Sequence, residues 1–468
     1  MQVGALVRQL ERAARASLSD ACLELMLDLN GRVLLFLDGY ELLQRNLEPD
    51  FRHWLWGLLE RAHQLNLAVR VVVGSREPLR YAPGGGKWPS QVDPFTRPDC
   101  DSFLDAWGVA DPALRAAIFE LTGGHPLPSR MAAELYHASY DKLTVTEIRQ
   151  GVMSQRAPEE WLYGRILDRL PESLHAAARH GALLRRFNMK TLNALLPAGA
   201  PQLEESLYRQ LVSYSFVVWR GKMQACHDLI RQAQSNWMQR ERPGRLADFH
   251  RAAHAHFQAV WEAEGDWAAQ LDALYHHLRA EPNAGFAAWE QAFREAARYW
   301  RLAQAGQLLH LAQEQQEVLL PEAALWLTYH AGYLAYQLAE WERALVLLQP
   351  LLEQALPDKL QARTLNLVGR CLNSQGERVL DHYQQSWETF ERIGDQASAA
   401  TLCWNIGLLL EKQGKPAEAP PYLERTVEIH ERIGHPNAAQ SQANLERLRK
   451  KKRKPKSSLL SWLRRRKP

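Results

Sequence analysis

Two short apolar runs end in residues that could bind a metal ion and a phosphate. VLLFL (33–37) is followed by Asp38, with Glu41 three residues on. VRVVV (69–73) is followed by Gly74, Ser75 and Arg76. A carboxylate directly after an apolar strand can hold the Mg²⁺ of a bound nucleotide, and a second one nearby can orient or polarise water. A guanidinium can donate to two phosphate oxygens at once. An Asp in such a turn is also a common structural cap, so this pair alone leaves both readings open. Two later strings carry the same ambiguity. In Gly123-Gly124-His125-Pro126, a rigid Pro after paired Gly can serve a ligand or simply start a helix. In Cys226-His227-Asp228, the His can contact a ligand or cap the helix that follows.

The elements that would position these residues read as follows. Asn30-Gly31 and Asp38-Gly39 bound the first run, which predicts a buried strand. Over 51–65, Phe51, Trp54, Leu55, Leu58, Leu59 and Ala62 recur at three- and four-residue spacing, which predicts an amphipathic helix. LAVRVVV (67–73) predicts a second strand. Strand, helix, strand predicts a parallel βαβ unit, whose ligands sit beyond the carboxyl ends of the strands. Asp38 and Arg76 would both lie at that edge. Farther on, EEWLYGRILDRL, PESLHAAARHGALL, FNMKTLNALL and LEESLYRQL read as short helices between 159 and 211. Phe216–Trp219 and Met223–Cys226 flank Arg220-Gly221-Lys222, which predicts a hairpin. Helices followed by a hairpin match a winged helix. Its candidate recognition helix near 188–196 carries only Lys190, which disfavours specific DNA binding.

Taken in order, these segments resemble the nucleotide-binding module of STAND ATPases, signal-transducing relatives of AAA+ proteins that include NB-ARC domains and bacterial TPR-bearing regulators. VLLFLDGYELL (33–43) resembles the Walker B strand. VRVVVGSREPL (69–79) resembles the sensor strand. VDPFTRPDCDSFLDAWGV (92–109) resembles the connector into a helical lid, and LTGGHPLPSRMAAEL (121–135) the Gly-x-Pro segment. The resemblance implies that Asp38 would hold Mg²⁺ and Arg76 the phosphates, that Pro126 would pack on the adenine with Gly124 a further nucleotide contact, and that His227 would contact the diphosphate of ATP or ADP. Cys226 stands where the family has Met. The resemblance covers about 25–258.

A phosphate cradle needs GxxxxGK[ST] between a strand and a helix, and the chain has no match. Gly84-Gly85-Gly86-Lys87 is followed by Trp88 and lies after the second strand, so it reads as a loop. Only 32 residues precede Val33, with a helical pattern. The expectation is a module that begins inside the domain. It is either degenerate, with no hydrolysis by this chain and no tightly bound nucleotide, or an ATPase completed by an upstream segment.

From about 250 the pattern is helical throughout. Gly332, Gly369 and Gly407 align, and twelve positions after each lie Ala344, Asp381 and Ala419. Glu-Arg-Ile-Gly recurs at 391–394 and 431–434. This resembles tetratricopeptide (TPR) repeats, which implies a surface for a protein or peptide partner. A scaffold of repeats with no nucleotide function is the competing reading. His250, His254 and His256 lie in an amphipathic helix without a third-ligand pattern, which disfavours a metal there.

Composition bounds the rest. Hydrophobic residues are 46% and charged residues 24% of 468, ordinary globular usage. No segment has the ~20 apolar residues needed to span a bilayer. Five scattered cysteines, without CxxC or CxH spacing, fit reduced thiols in a cytoplasm. Net charge is +4, yet Arg447–Pro468 holds twelve basic residues and no acidic ones, so the remainder is −8. The tail, with Leu459, Leu460, Trp462 and Leu463 among its cations, suits an anionic membrane surface. Nucleic acid and a plain solvated tail stay open. The predicted fold is mainly α with an N-terminal α/β part. Its segments are a truncated P-loop-type core (1–90), a helical lid (91–155), a winged helix (156–258), TPR-like repeats (259–445) and a basic tail (446–468).

Overall fold

The computed structural model describes residues 22, 23, 26, 32–37, 57–65, 67–73, 93–137, 143–220, 223–375 and 379–453. These fall into two compact units, one within Leu23–Ala288 and the other from Trp289 onward together with Cys22. Among the described residues the protein is mainly helical.

In the first unit, β1 (Arg32–Leu37) and β2 (Ala68–Val73) pair in parallel, in register from Arg32↔Ala68 to Leu37↔Val73. Both strands therefore run out at the same edge. Residues 57–64 between them are helical and bury Leu58 and Ala62. These belong to the predicted apolar stripe, whose Phe51, Trp54 and Leu55 lie outside the described residues.

The helices that follow begin where the chain supplies caps. Thr96 caps α1 (Arg97–Ala106), and Asp111 with Pro112 starts α2 (Pro112–Thr122). Helix α3 is Pro126–His137. Thr144 and Glu147 close a reciprocal capping box on α4 (Val145–Met153). Next come α5 (Pro158–Arg169), α6 (Glu172–Gly181), α7 (Met189–Ala194) and α8 (Glu205–Val212). Strands β3 (Val217–Arg220) and β4 (Met223–Cys226) form the antiparallel hairpin. Helices α9 (Asp228–Glu241), α10 (Pro243–Glu264) and α11 (Trp267–Ala280) complete the unit. One continuous cluster of buried side chains runs from Cys100 to Ala273, so the segments read separately as lid and winged helix share a core.

In the second unit each helix packs mainly on its neighbours in the chain. The division between units falls within α12 (Pro282–Arg298), which is followed by α13 (Leu302–Glu314). Three helix pairs then succeed one another. They are α14 (Pro321–Gln337) with α15 (Trp341–Leu352), α16 (Asp358–Gln375) with α17 (Leu380–Arg392), and α18 (Gln396–Lys412) with α19 (Pro420–Arg432). Helix α20 (Ala438–Arg453) follows. Within each pair the aligned glycine is the point of closest approach. A Cβ on Gly332 would stand 2.6 Å from Leu348, on Gly369 2.6 Å from Tyr383, and on Gly407 2.7 Å from Leu423.

One sequence expectation is corrected here. Asp381 does not take the place of Ala344 and Ala419. It is exposed, whereas Ala344, Ala419 and Val379 are each 0% exposed. The glycine meets the sixteenth residue after it in the outer pairs but the fourteenth in the middle one, so the second helix of the middle pair is shifted by two residues in sequence and Val379 fills the site. Buried hydroxyls keep the same shifted register: Ser386 donates to the Ala362 carbonyl at 2.7 Å and Thr426 to that of Ala400 at 3.2 Å.

Candidate functional site

Asp38, Glu41 and Arg76 lie outside the described residues, as do 84–87 and the tail from 454 on. Gly124, Pro126 and His227 are described, each at the start of a helix.

Gly123 ends α2 in the left-handed region, at φ 58°. Gly124 follows at φ 76°, and a Cβ there would lie 2.1 Å from the Phe95 carbonyl oxygen. That carbonyl's own amide donates to the Gly124 oxygen at 2.9 Å. The backbone fold alone therefore requires glycine at 124. Pro126 opens α3 and is exposed, so its ring is available to a flat ligand. Beneath this turn the Thr122 and Ser129 hydroxyls stand 3.1 Å apart, both buried.

His227 precedes α9. Its amide donates to the Phe216 carbonyl at 2.7 Å, tying the end of the hairpin to its beginning. Its Nδ1 accepts from the Leu229 amide at 3.3 Å, which commits that nitrogen to the cap. Asp228 pairs with Arg231. The two turns are linked through α3, whose Glu134 accepts from the Ser215 hydroxyl at 2.8 Å, just ahead of β3.

The second unit offers a different constellation. On α14, Trp326, Tyr329, Tyr333 and Tyr336 follow helical spacing along one face, each half-buried. Arg363 of α16 lies over Trp326 at 5.4 Å, and Arg370 lies over Tyr336 at 4.4 Å. Asn366 stands between those arginines at i+3, and its buried Oδ1 has no hydrogen-bond partner. Arg363 also bonds Glu290 at 3.2 Å, with His330 Nε2 3.6 Å from the same oxygen. Hydrogen bonding from His330 first, then the charges of His330 and Arg363, hold the Glu290 carboxyl down to about 2 against its burial. Two guanidiniums beside an aromatic wall can receive a carboxylate, and the unpaired Asn366 oxygen can accept from a backbone N–H.

Two of the histidines meet inside the first unit. His250 and His276 are buried and share one hydrogen bond, Nδ1 to Nδ1 at 2.8 Å. Burial pushes His250 down to about 3, so the pair is neutral and acts as a polar bridge inside the core. His254 meets the Ala273 carbonyl at 3.0 Å. Among the described residues no group of three His, Cys, Asp or Glu side chains could hold a metal ion. No described helix is long and apolar enough to cross a membrane. The five cysteines are unpaired, and burial pushes the Cys226 and Cys403 thiols up to about 12, which makes them inert.

No protein-family model matches this chain, and no curated protein does. Among solved structures it is similar to a signal transduction ATPase with numerous domains (STAND) protein with a tetratricopeptide repeat sensor, from Pyrococcus horikoshii. The TM-score is 0.37 and the identity 12%, over 92% of this chain and 64% of that one. The chain thus spans less than two thirds of that protein's length.

Proposed function

We propose that this chain is a STAND-like regulatory protein that acts by binding a protein or peptide partner on its C-terminal repeats. The observation that carries the reading is the arginine–asparagine–arginine stripe of α16 beside the aromatic face of α14. Stacked helix pairs bury their small-residue seams on one another, which leaves such a face for a ligand. Its chemistry favours a partner segment bearing an acidic side chain or a terminal carboxylate. The test is capture of partners from the source cells by the full chain and by the double variant Arg363→Ala, Arg370→Ala, quantified by mass spectrometry. A protein retained by the parent and lost from an equally stable variant supports the stripe. An unchanged set of captured proteins would rule it out.

The N-terminal half of the proposal is a nucleotide module that is incomplete or degenerate. In a complete relative, Asp38 would hold Mg²⁺, Glu41 would orient water, and Arg76 and His227 would meet the phosphates of ATP or ADP. The nucleotide would supply the energy for switching between closed and open states. Without a Gly-rich Lys-Ser/Thr loop the phosphates lack their main cradle, so we expect no saturable micromolar binding by this chain. Isothermal titration with Mg-ATP and Mg-ADP decides: saturable binding lost in Asp38→Ala would favour instead an ATPase whose loop lies on a preceding segment. A repeat scaffold with no nucleotide role predicts no binding and no effect of Asp38→Ala on partner capture.

A further inference from the structure

A cleft of about 230 Å³ lies between α5, α6 and α9 of the first unit. One face of α5 contributes Tyr163 and Leu167, and α9 contributes Ala233, Gln234 and Trp237. Arg179 projects from α6. Tyr163, Leu167 and Ala233 are no more than 5% exposed, so they give the cleft apolar walls. Its polar groups are mostly spoken for: the Tyr163 hydroxyl donates to the Ala178 carbonyl at 2.8 Å. At the rim Glu160 pairs with Arg240 and stands 4.0 Å from Arg156, and Asp168 pairs with Arg165 at 3.4 Å.

Two donors are left over. Gln234 is 2% exposed, and its Nε2 has no hydrogen-bond partner. An amide in that state costs on the order of 1–3 kcal/mol, so something is expected to accept from it. Arg179 lies over the Trp237 ring at 4.5 Å and has no ion pair or hydrogen bond among the described residues. Burial lowers its pKa, and the nearby Asp168 carboxylate offsets only part of that. A half-buried guanidinium and a buried amide thus line one apolar cleft with their donors unused.

We propose that this cleft is a binding site for a small carboxylate with an apolar body, its two oxygens taken by the Arg179 fork and the Gln234 amide. Planarity argues for carboxylate over phosphate. The rim carboxylates Glu160 and Asp168 are already paired with arginines, so Arg179 supplies one positive charge against the apolar walls, which matches a monoanion better than a dianion. None of its lining residues is a repeat residue or one of Gly124, Pro126 and His227, and the site would give the chain a small-molecule input.

The probe is benzoate, titrated calorimetrically into the full chain, with benzamide and inorganic phosphate in parallel. Saturable benzoate binding is expected, with neither comparator bound. Arg179→Met should weaken it by about tenfold or more, the effect of one charge-assisted hydrogen bond. Arg179→Lys, which keeps the charge but not the fork, should weaken it too. Gln234→Leu should weaken binding while raising the melting temperature of the ligand-free protein, because it removes an unpaired buried amide; this variant keeps the test valid if Arg179 substitutions unfold the chain. Three results would overturn the proposal: no saturable heat with benzoate to about 10 mM, equal binding of benzamide or phosphate, or benzoate binding unchanged in both Arg179→Met and Gln234→Leu.

Discussion

The two units hold themselves together by opposite strategies. In the first, the stabilising contacts join residues far apart in the chain, and each occurs once. Arg186 meets Asp272 at 2.6 Å and Asp266 at 3.1 Å, across 86 and 80 residues. Ser215 reaches Glu134 across 81. In the repeats the same contact recurs at nearly constant separation. Asp358–Arg392 and Glu391–Arg425 are 34 residues apart and Glu411–Arg447 is 36. A unit with one shared core should lose its structure as a whole, whereas an array of neighbour contacts should lose it locally. The first suits a fixed pocket or hinge. The second suits a long recognition surface that adjusts along its length.

Substitutions ordered by expected effect would break or sharpen that contrast. Asp272 is 2% exposed and is held by Arg185 and Arg186; burial pushes its carboxyl up while the two guanidiniums pull it down. Asp272→Asn removes the one buried anion that both guanidiniums share and should cost roughly 3–5 kcal/mol. Amide exchange should then rise throughout the described part of Leu23–Ala288. A rise confined to Trp267–Ala280 would show that the unit is not one cooperative body. Gly124→Ala drives a Cβ into the Phe95 carbonyl at positive φ and should cost roughly 3 kcal/mol, read as a drop in melting temperature with no nucleotide present. An unaffected melting temperature would make the glycine's role one of ligand contact.

In the repeats the effects shrink and localise. Gly407→Ala should cost about 1–3 kcal/mol through the clash with Leu423. Exchange should rise in α18 and α19 while α14 and α15 stay protected; uniform loss would contradict the neighbour-contact picture. Glu391→Gln should cost at most about 1 kcal/mol. Hydrogen bonding from Arg425 holds the Glu391 carboxyl below its ordinary 4.5. A depressed carboxylate stabilises above its unfolded value and loses that contribution as pH falls. The variant should therefore be measurably less stable at pH 7, and the gap should close below pH 4.5 as urea midpoints are followed downward. Asp381→Ala should change stability by no more than about 0.5 kcal/mol, as for any exposed side chain. A larger loss would return Asp381 to the helix seam.

Much of the architecture was legible in residue patterns. The runs at 33–37 and 67–73 became the paired strands, because β-branched and aliphatic residues bounded by turn signals have few other places to go. The hairpin at 217–226 and the glycine seams of the repeats were readable for similar local reasons. The register of the middle repeat was not, although a signal existed. Glu-Arg-Ile-Gly recurs at 40 residues while the glycines recur at 38, and that difference of two is the shifted register of the middle pair. Of the candidate site, Gly124, Pro126 and His227 could be located, but their steric and capping duties depend on Phe95, Leu229 and Phe216, which pattern alone does not connect to them.

The sequence by itself determined the helical character, the seams where helices approach and the acidic body with its basic end. These follow from local spacing and composition, which act within a turn or a few dozen residues. Only the tertiary structure decided that residues 100–273 share one core, that His250 finds His276 and Arg186 finds Asp272, and that Arg179 and Gln234 face one cleft. Those pairings join residues from 26 to 86 positions apart, and in a chain of this length many equally polar alternatives lie within reach. What selects among them is the burial of the apolar faces around them, a property of the whole fold rather than of any segment.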